Sequence, residues 1–134
     1  MARILIVEDN SDNMFLTQIL LQSAGYSVLS ATDAEAGLAL ARAEFPDLIL
    51  MDIQLPGMDG LEATALLKAD ASTCAIPVIA LTALAMKGDE ARIRAAGCSG
   101  YIAKPMGSQE FLATVAAQLA ATSALDGDRK PQTA

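Results

Sequence analysis

The sequence predicts an α/β fold in which helices cover both faces of a doubly wound parallel sheet, with five strands and five helices. Short apolar runs, typical of strands buried on both faces, alternate along the chain with longer stretches of helical periodicity. Hydrophobic residues make up 53% of the 134 residues, which excludes a disordered chain. This length suits one domain, which we place at residues 1–122, followed by a flexible polar tail at 123–134.

Boundary residues support the elements in order along the chain. Gly25 ends the first helix, and Thr32 or Asp33 can cap the second, which ends before Pro46. Ser108 can cap the last helix. The predicted strands span residues 3–7, 27–30, 47–51, 76–81 and 100–103, and the predicted helices end at about residues 24, 44, 68, 96 and 121.

Composition excludes several functional classes. The chain has no histidine, so neither a His–Cys zinc site nor a Ser–His–Asp triad is possible. Nine basic residues against sixteen acidic ones give a net charge of −7, which argues against binding to nucleic acid or to an anionic membrane surface. No apolar run is long enough to span a bilayer. Two cysteines, Cys74 and Cys98, predict reduced thiols in a cytoplasmic protein.

Polar residues follow four of the predicted strands at the point where each strand ends. Glu8 and Asp9 follow the first strand, Asp52 the third, Thr82 the fourth and Lys104 the fifth. In parallel sheets of this class, ligands bind at the carboxyl ends of the strands. We therefore expect these five side chains, which are spread over about a hundred residues of sequence, to meet at one edge of the sheet.

The chemistry of this set points to a metal ion and to phosphoryl transfer. Three converging carboxylates repel one another, so they need a cation, which Lys104 and a divalent ion can supply. Oxygen-only ligands suit Mg²⁺. Asp52, on a central strand, is the candidate nucleophile, since an aspartate can attack phosphorus to give an acyl phosphate. The Thr82 hydroxyl and the main-chain amide of Ala83 could then donate hydrogen bonds to phosphoryl oxygens.

Four segments carry a resemblance to bacterial response-regulator receiver domains. They are ILIVEDN at residues 4–10, PDLILMDIQLPGMDG at 46–60, IALTA at 79–83 and YIAKP at 101–105. The segment at residues 85–98 is similar to the stand-alone regulators of the DivK type and to receivers of hybrid kinases. The resemblance implies a flavodoxin-like sheet with the strand order 2-1-3-4-5.

The resemblance also implies roles for the residues at the strand ends. Asp52 would accept a phosphoryl group from a histidine kinase or a histidine phosphotransfer protein. Asp9, Asp52 and the backbone carbonyl of Gln54 would bind Mg²⁺, with Glu8 contributing through a water molecule. The protein would assist its own phosphorylation and dephosphorylation and would not otherwise act as an enzyme.

A conformational switch is implied as well. Lys104 would pair with the phosphoryl group, oriented by a cis peptide bond before Pro105. Thr82 would move toward the phosphoryl group, and the ring of Tyr101 would turn into the space that Thr82 leaves. A downstream protein target would read the altered surface.

The first helix offers a candidate docking site for the phosphodonor. Leu16, Leu20 and Ala24 share one helical stripe, which we predict to be buried. Met14 and Phe15 lie off that stripe. We therefore expect both to be exposed beside the acidic pocket, where they could dock a helical bundle of the phosphodonor.

Three alternatives stay open at this point. Phosphohydrolases of the haloacid-dehalogenase type share an Asp nucleophile, a Thr and a Lys, but Gln54 stands where they need a second Asp, and the chain is too short for a cap domain. An FMN-binding flavodoxin would need a phosphate-cradling loop where residues 8–12 are acidic. A receiver that takes no phosphoryl group could act only as a docking module.

Overall fold

Parallel strands and covering helices make up the described part of the chain, which in this computed structural model comprises residues 2–82, 87–103 and 107–133. The strands are β1 (Arg3–Val7), β2 (Ser27–Ala31), β3 (Leu48–Asp52), β4 (Val78–Thr82) and β5 (Gly100–Ala103). The helices are α1 (Ser11–Ser23), α2 (Ala34–Glu44), α3 (Gly60–Ala69), α4 (Lys87–Ala96) and α5 (Ser108–Thr133). The strands form one sheet in the order β2-β1-β3-β4-β5, which confirms the predicted fold class.

The strand register brings the carboxyl ends of the strands to one edge of the sheet. Asp52, the last residue of β3, pairs with Leu81 of β4, and Thr82 pairs with Ala103 of β5. Beyond β1, the amide of Glu8 donates a 3.0 Å hydrogen bond to the carbonyl of Ala31 and so continues the ladder. The first residues after β1 therefore lie at the same edge as the end of β3.

Two apolar clusters cover the two faces of the sheet, because successive residues of a strand point to opposite faces. One cluster packs the strands against α2, α3 and α4, and includes Leu5, Ile49, Met51, Leu38, Leu67 and Ile93. The other packs them against α1 and α5, and includes Ile4, Leu48, Leu50, Leu21, Phe111 and Val115. Strands buried on both faces explain the uninterrupted apolar runs in the sequence.

Side-chain caps begin three of the helices. Asn10 accepts a hydrogen bond of 2.9 Å from the Asn13 amide and caps α1. Asp33, rather than Thr32, caps α2. Asp59 accepts a 2.8 Å hydrogen bond from the Glu62 amide at the start of α3. Each cap satisfies an amide that the first turn of a helix leaves without an intrahelical partner.

The buried face of α1 differs from the predicted stripe. Met14 and Leu21 are buried, whereas Leu16 and Ala24 are exposed and Leu20 is half-buried. The prediction that Met14 is exposed is therefore wrong. The apolar residues of α1 itself are distributed over several sides of the helix, so periodicity alone could not identify the face that packs on the sheet.

The last helix is longer than predicted. We expected it to end near residue 121, whereas α5 continues to Thr133. Residues 116–126 contain neither glycine nor proline, and seven of them are alanine or leucine, which favour helix. The domain boundary at residue 122 and a flexible tail beyond it stay predictions.

Within the described residues, no helix combines the length and the apolar character needed to cross a membrane.

Candidate metal centre at the carboxyl ends of the strands

Three carboxylates meet at the carboxyl ends of β1 and β3. One oxygen from each of Glu8, Asp9 and Asp52 lies within 4.8 Å of the other two. Glu8 and Asp52 are buried and Asp9 is exposed, so the cluster lies at the surface end of the sheet. The structure thus brings together the three acids that the sequence predicted to converge.

Main-chain amides fix the orientation of two of these carboxylates. Oδ1 of Asp52 accepts a hydrogen bond of 2.9 Å from the amide of Gln54, two residues further along the chain. Oε2 of Glu8 accepts a 3.3 Å hydrogen bond from the amide of Asn10 in the same way. Both acids are therefore held by the loop that follows their own strand, which limits the rotation of each carboxylate.

The donor set fits a hard divalent cation. Two unit charges about 4 Å apart in a partly buried site repel by about 4 kcal/mol, so three carboxylates at this spacing favour a cation between them. Carboxylate oxygens are the ligands that Mg²⁺ prefers, and it commonly retains several waters. The exposed side at Asp9 leaves access for such waters. Glu8, Asp9 and Asp52 could thus hold Mg²⁺.

Thr82 and Tyr101 lie on β4 and β5, the two strands that follow β3 across the sheet. Thr82 is the buried last residue of β4, the strand that pairs with β3. Tyr101 lies on β5 opposite Ala80. Its half-buried ring packs against the apolar core between the sheet and α2, α3 and α4. Thr82 thus ends β4 and Tyr101 lies on β5, the strands on which the sequence placed them, and their roles in a switch stay predictions.

The remaining residues predicted for the metal and phosphoryl site fall into two groups, those outside the described part of the chain and Gln54, which lies within it. Ala83, Lys104 and Pro105 lie outside the described residues. Gln54 follows Asp52 in the loop after β3, with an exposed side chain. Its amide holds Asp52, and the metal-binding role of its carbonyl stays a prediction.

An exposed apolar patch on α1 was only partly foreseen. Phe15 and Leu16 are each 61% exposed and Ile19 is 45% exposed, and we call these three residues the α1 patch. Positions 15 and 19 are one helical turn apart, so they share a face with Leu16 beside them. That spacing was visible in the sequence, but the predicted buried stripe placed Leu16 in the core. The helix begins two residues after Asp9, so its N-terminus adjoins the acidic cluster.

Fold and acidic cluster together define a class of signalling protein. The family model of the response regulator receiver domain matches residues 4–116. The chain therefore belongs to the response regulator receiver family. This match decides against the phosphohydrolase and the flavodoxin that the sequence alone left open.

Relatives among curated proteins narrow the likeness further. The chain is 50% identical over 116 residues to the polar-differentiation response regulator DivK of Brucella ovis, covering 87% of this chain and 94% of that protein. DivK of Brucella anthropi shows the same identity and coverage. The predicted similarity to regulators of the DivK type is thus confirmed.

Solved structures share the fold over most of the chain. The chemotaxis protein CheY4 of Vibrio cholerae superposes with a TM-score of 0.82 at 29% identity, covering 86% of this chain and 96% of that one. The receiver domain of a sensor histidine kinase from Pseudomonas aeruginosa gives a TM-score of 0.83 at 35% identity, covering 89% and 98%. A magnesium ion is coordinated in the active-site cleft of the latter.

Proposed function

We propose that this chain is the phosphoacceptor of a two-component or phosphorelay system. Asp52 accepts a phosphoryl group from a histidine kinase or a histidine phosphotransfer protein, with Mg²⁺ bound at Glu8, Asp9 and Asp52. The observation that carries this proposal is the convergence of those three carboxylates within 4.8 Å at the end of a central strand. The magnesium in the cleft of the Pseudomonas receiver supports the same choice of ion.

The reaction needs little beyond positioning and charge neutralisation. A carboxylate oxygen of Asp52 attacks the phosphorus of a phosphohistidine, the P–N bond breaks, and an acyl phosphate forms while the donor imidazole leaves. The bound Mg²⁺ would offset the negative charge of the phosphoryl oxygens. The Gln54 amide keeps the Asp52 carboxylate oriented for attack. Asp9 and the backbone carbonyl of Gln54 would supply the other metal ligands, with Glu8 contributing through a water molecule.

The switch and its output form the second half of the proposal. Lys104 pairs with the phosphoryl group, the Ala83 amide and the Thr82 hydroxyl donate to its oxygens, and Tyr101 follows Thr82 inward. The buried position of Thr82 at the end of β4 supports this role. The altered surface then binds a downstream protein target.

The phosphodonor docks on the α1 patch. Three exposed apolar side chains on one helix face beside the acidic cluster suit an apolar helical surface of the partner. Phe15 keeps the role predicted for it, while Leu16 and Ile19 replace the buried Met14.

Nucleic acid and membranes are not proposed as partners, since the net charge is −7. Two free cysteines and a kinase as phosphodonor support a cytoplasmic location.

Mass spectrometry tests this function directly. The protein is incubated with acetyl phosphate or phosphoramidate and Mg²⁺, and the intact mass is measured. We expect one added phosphoryl group on the wild type and none on Asp52→Asn. The control is Asp59→Asn, which makes the same chemical change at a helix cap, a position that asparagine also supports, and it should gain one phosphoryl group like the wild type. A gain that survives in Asp52→Asn overturns the assignment. A gain undiminished by a chelator overturns the role of the metal, and no gain on the wild type would favour the docking module.

A further inference from the structure

The first residue of α3 lies directly against the main chain of the phosphoacceptor. A methyl group added at Gly60 would be 2.7 Å from Cα of Ile53 and 2.8 Å from the carbonyl carbon of Asp52, and nearer still to the carbonyl oxygen of Asp52. The Gly60 amide donates a 3.3 Å hydrogen bond to the carbonyl of Ile53. The start of α3 is therefore in van der Waals contact with the peptide unit that carries Asp52.

Space, and not backbone conformation, accounts for glycine at this position. Gly25, Gly57 and Gly97 have φ values between 75° and 106°, where other residues are strained, but Gly60 is outside that set. Side-chain atoms crowd Gly37 and Gly97, namely those of Val7 and Lys68. At Gly60 the neighbours are main-chain atoms, which cannot rotate away, so any side chain there must displace the backbone of residues 52 and 53.

Displacing that backbone would disturb the contacts that orient the reactive carboxylate. The amide of Gln54 donates to Oδ1 of Asp52 at 2.9 Å, and the amide of Ile53 donates to the carbonyl of Leu81 at 3.1 Å. Both bonds involve the segment against which Gly60 packs. Reactions that depend on alignment can lose about 100-fold in rate from a misplacement of about 1 Å.

Two further bonds stabilise the first turn of α3. Asp59 caps the helix through the amide of Glu62 at 2.8 Å. The buried hydroxyl of Thr64 donates a 2.8 Å hydrogen bond to the carbonyl of Gly60. Both bonds are local to the start of the helix, so they keep its first turn formed where the Gly60 amide binds the carbonyl of Ile53.

We infer that Gly60 is a positioning residue for the phosphoryl transfer of the proposed function, on which this inference rests. Its lack of a side chain lets α3 seat against the main chain of Asp52 and Ile53. That contact sets where the Asp52 carboxylate lies relative to Glu8 and Asp9. Gly60 thereby acts on both metal binding and phosphorylation through the main chain of Asp52, without contacting the metal ion or the phosphoryl group.

The test compares three glycine-to-alanine variants. Gly60→Ala introduces the main-chain clash beside Asp52. Gly97→Ala introduces a clash and a strained φ at the opposite edge of the sheet, so it controls for lost stability. Gly100→Ala adds a methyl with no atom within 4 Å and controls for the substitution itself. Each variant is assayed well below its unfolding temperature for the Mg²⁺ dissociation constant by calorimetry and for the rate of phosphorylation by acetyl phosphate.

We expect Gly60→Ala to lose about 10- to 100-fold in phosphorylation rate while folded. Its Mg²⁺ affinity should fall, and the NMR amide shifts of Ile53 and Gln54 should change. Gly97→Ala should unfold at a lower temperature yet keep the wild-type rate, and Gly100→Ala should match the wild type in both. A wild-type rate and affinity in folded Gly60→Ala overturns the inference, as does an equal loss in Gly97→Ala.

A second pair of variants decides the question if Gly60→Ala does not fold. Thr64 and Thr73 are both buried and each donates its hydroxyl to a carbonyl of α3, at Gly60 and at Leu67 respectively. Thr64→Val should weaken Mg²⁺ binding and slow phosphorylation more than Thr73→Val, and equal effects overturn the inference. Failure of the proposed function can be told apart from failure of this inference. If the proposed function is wrong, the wild type itself gains no phosphoryl group at Asp52, and the Mg²⁺ affinities of the variants still test whether Gly60 positions the site.

Discussion

The amide of Gln54 donates a 2.9 Å hydrogen bond to Oδ1 of Asp52, so the carboxylate at the centre of the acidic cluster is held by its own following loop. That loop closes on the first residue of α3, where the Gly60 amide binds the carbonyl of Ile53. The orientation of Asp52 thus depends on how one helix seats against one strand. The acidic cluster is a product of this packing as much as of the strand order.

Removing one acid should relieve repulsion when no metal is bound. In Asp9→Asn, we expect the unfolding temperature without Mg²⁺ to rise by about 3 °C, because one of three converging charges is gone. The rise in unfolding temperature that Mg²⁺ gives the wild type should largely disappear in this variant. Differential scanning fluorimetry with and without MgCl₂ measures both effects. Asp12→Asn, at another acid in the first turn of α1, is the control, and a lower unfolding temperature for metal-free Asp9→Asn would contradict the prediction.

The α1 patch should matter for a protein phosphodonor and not for a small one. Leu16→Ser should slow phosphotransfer from a phosphorylated histidine protein by about 10-fold or more, since buried interface anchors dominate binding energy. Phosphorylation by acetyl phosphate should stay at the wild-type rate. Leu66→Ser, which alters a 43% exposed leucine on α3, is the matched control. Equal transfer rates for the two variants would count against docking on α1, and a loss with acetyl phosphate would indicate a structural role for Leu16.

The stability of the α3 terminus should depend on pH through Asp70. Its carboxylate accepts hydrogen bonds from the hydroxyl and amide of Ser72 and from Arg42, and these lower the pKa of Asp70 below its ordinary value of 3.8. A depressed pKa in the folded state gives stability that is present above pH 3.8 and is lost as the pH falls through the folded pKa. The stability advantage of the wild type over Asp70→Asn should therefore shrink in acid.

Chemical denaturation at a series of pH values from about 5 to about 2 measures this dependence. The Ser72 hydroxyl is the largest cause of the lowered pKa, followed by the Ser72 amide and Arg42, so Ser72→Ala and Arg42→Ala should each flatten the pH dependence. An advantage over Asp70→Asn that stays constant across this pH range would show that the Asp70 contacts act independently of its charge.

The two thiols should differ sharply in reactivity. Cys74 is exposed, whereas Cys98 is buried, and burial raises the pKa of the Cys98 thiol. The thiolate is the reactive form, so iodoacetamide should modify Cys74 quickly and Cys98 only after unfolding. Peptide mass spectrometry over time, with and without denaturant, follows both sites. Rapid labelling of Cys98 in the native protein would disprove this difference, and Cys74→Ser confirms the assignment of the fast site.

The strands were the most predictable part of the fold. β1 and β5 begin and end where the sequence placed them, and β2, β3 and β4 differ by one or two residues. Uninterrupted apolar runs identify strands of a parallel sheet, because such strands must be covered on both faces. Placing polar residues after these runs was enough to predict that Glu8, Asp9 and Asp52 meet.

The helices were less predictable in the details that concern function. The apolar residues of α1 lie on several sides, and the pattern selected Leu16 for the core where the fold buries Met14. The end of α5 was placed too early, since no breaker precedes Gly127. For α1, several faces have similar local propensity, and tertiary packing selects among them.

By itself, the sequence determined the number and order of the elements and the set of acids at the sheet edge, because hydrophobic periodicity and parallel topology leave few other arrangements. Only the tertiary structure decided which side of α1 is exposed and that Gly60 seats against the main chain of Asp52. The reason is steric. Contacts between residues distant in sequence depend on how helices rotate and settle on the sheet, and neither pattern nor propensity encodes that rotation.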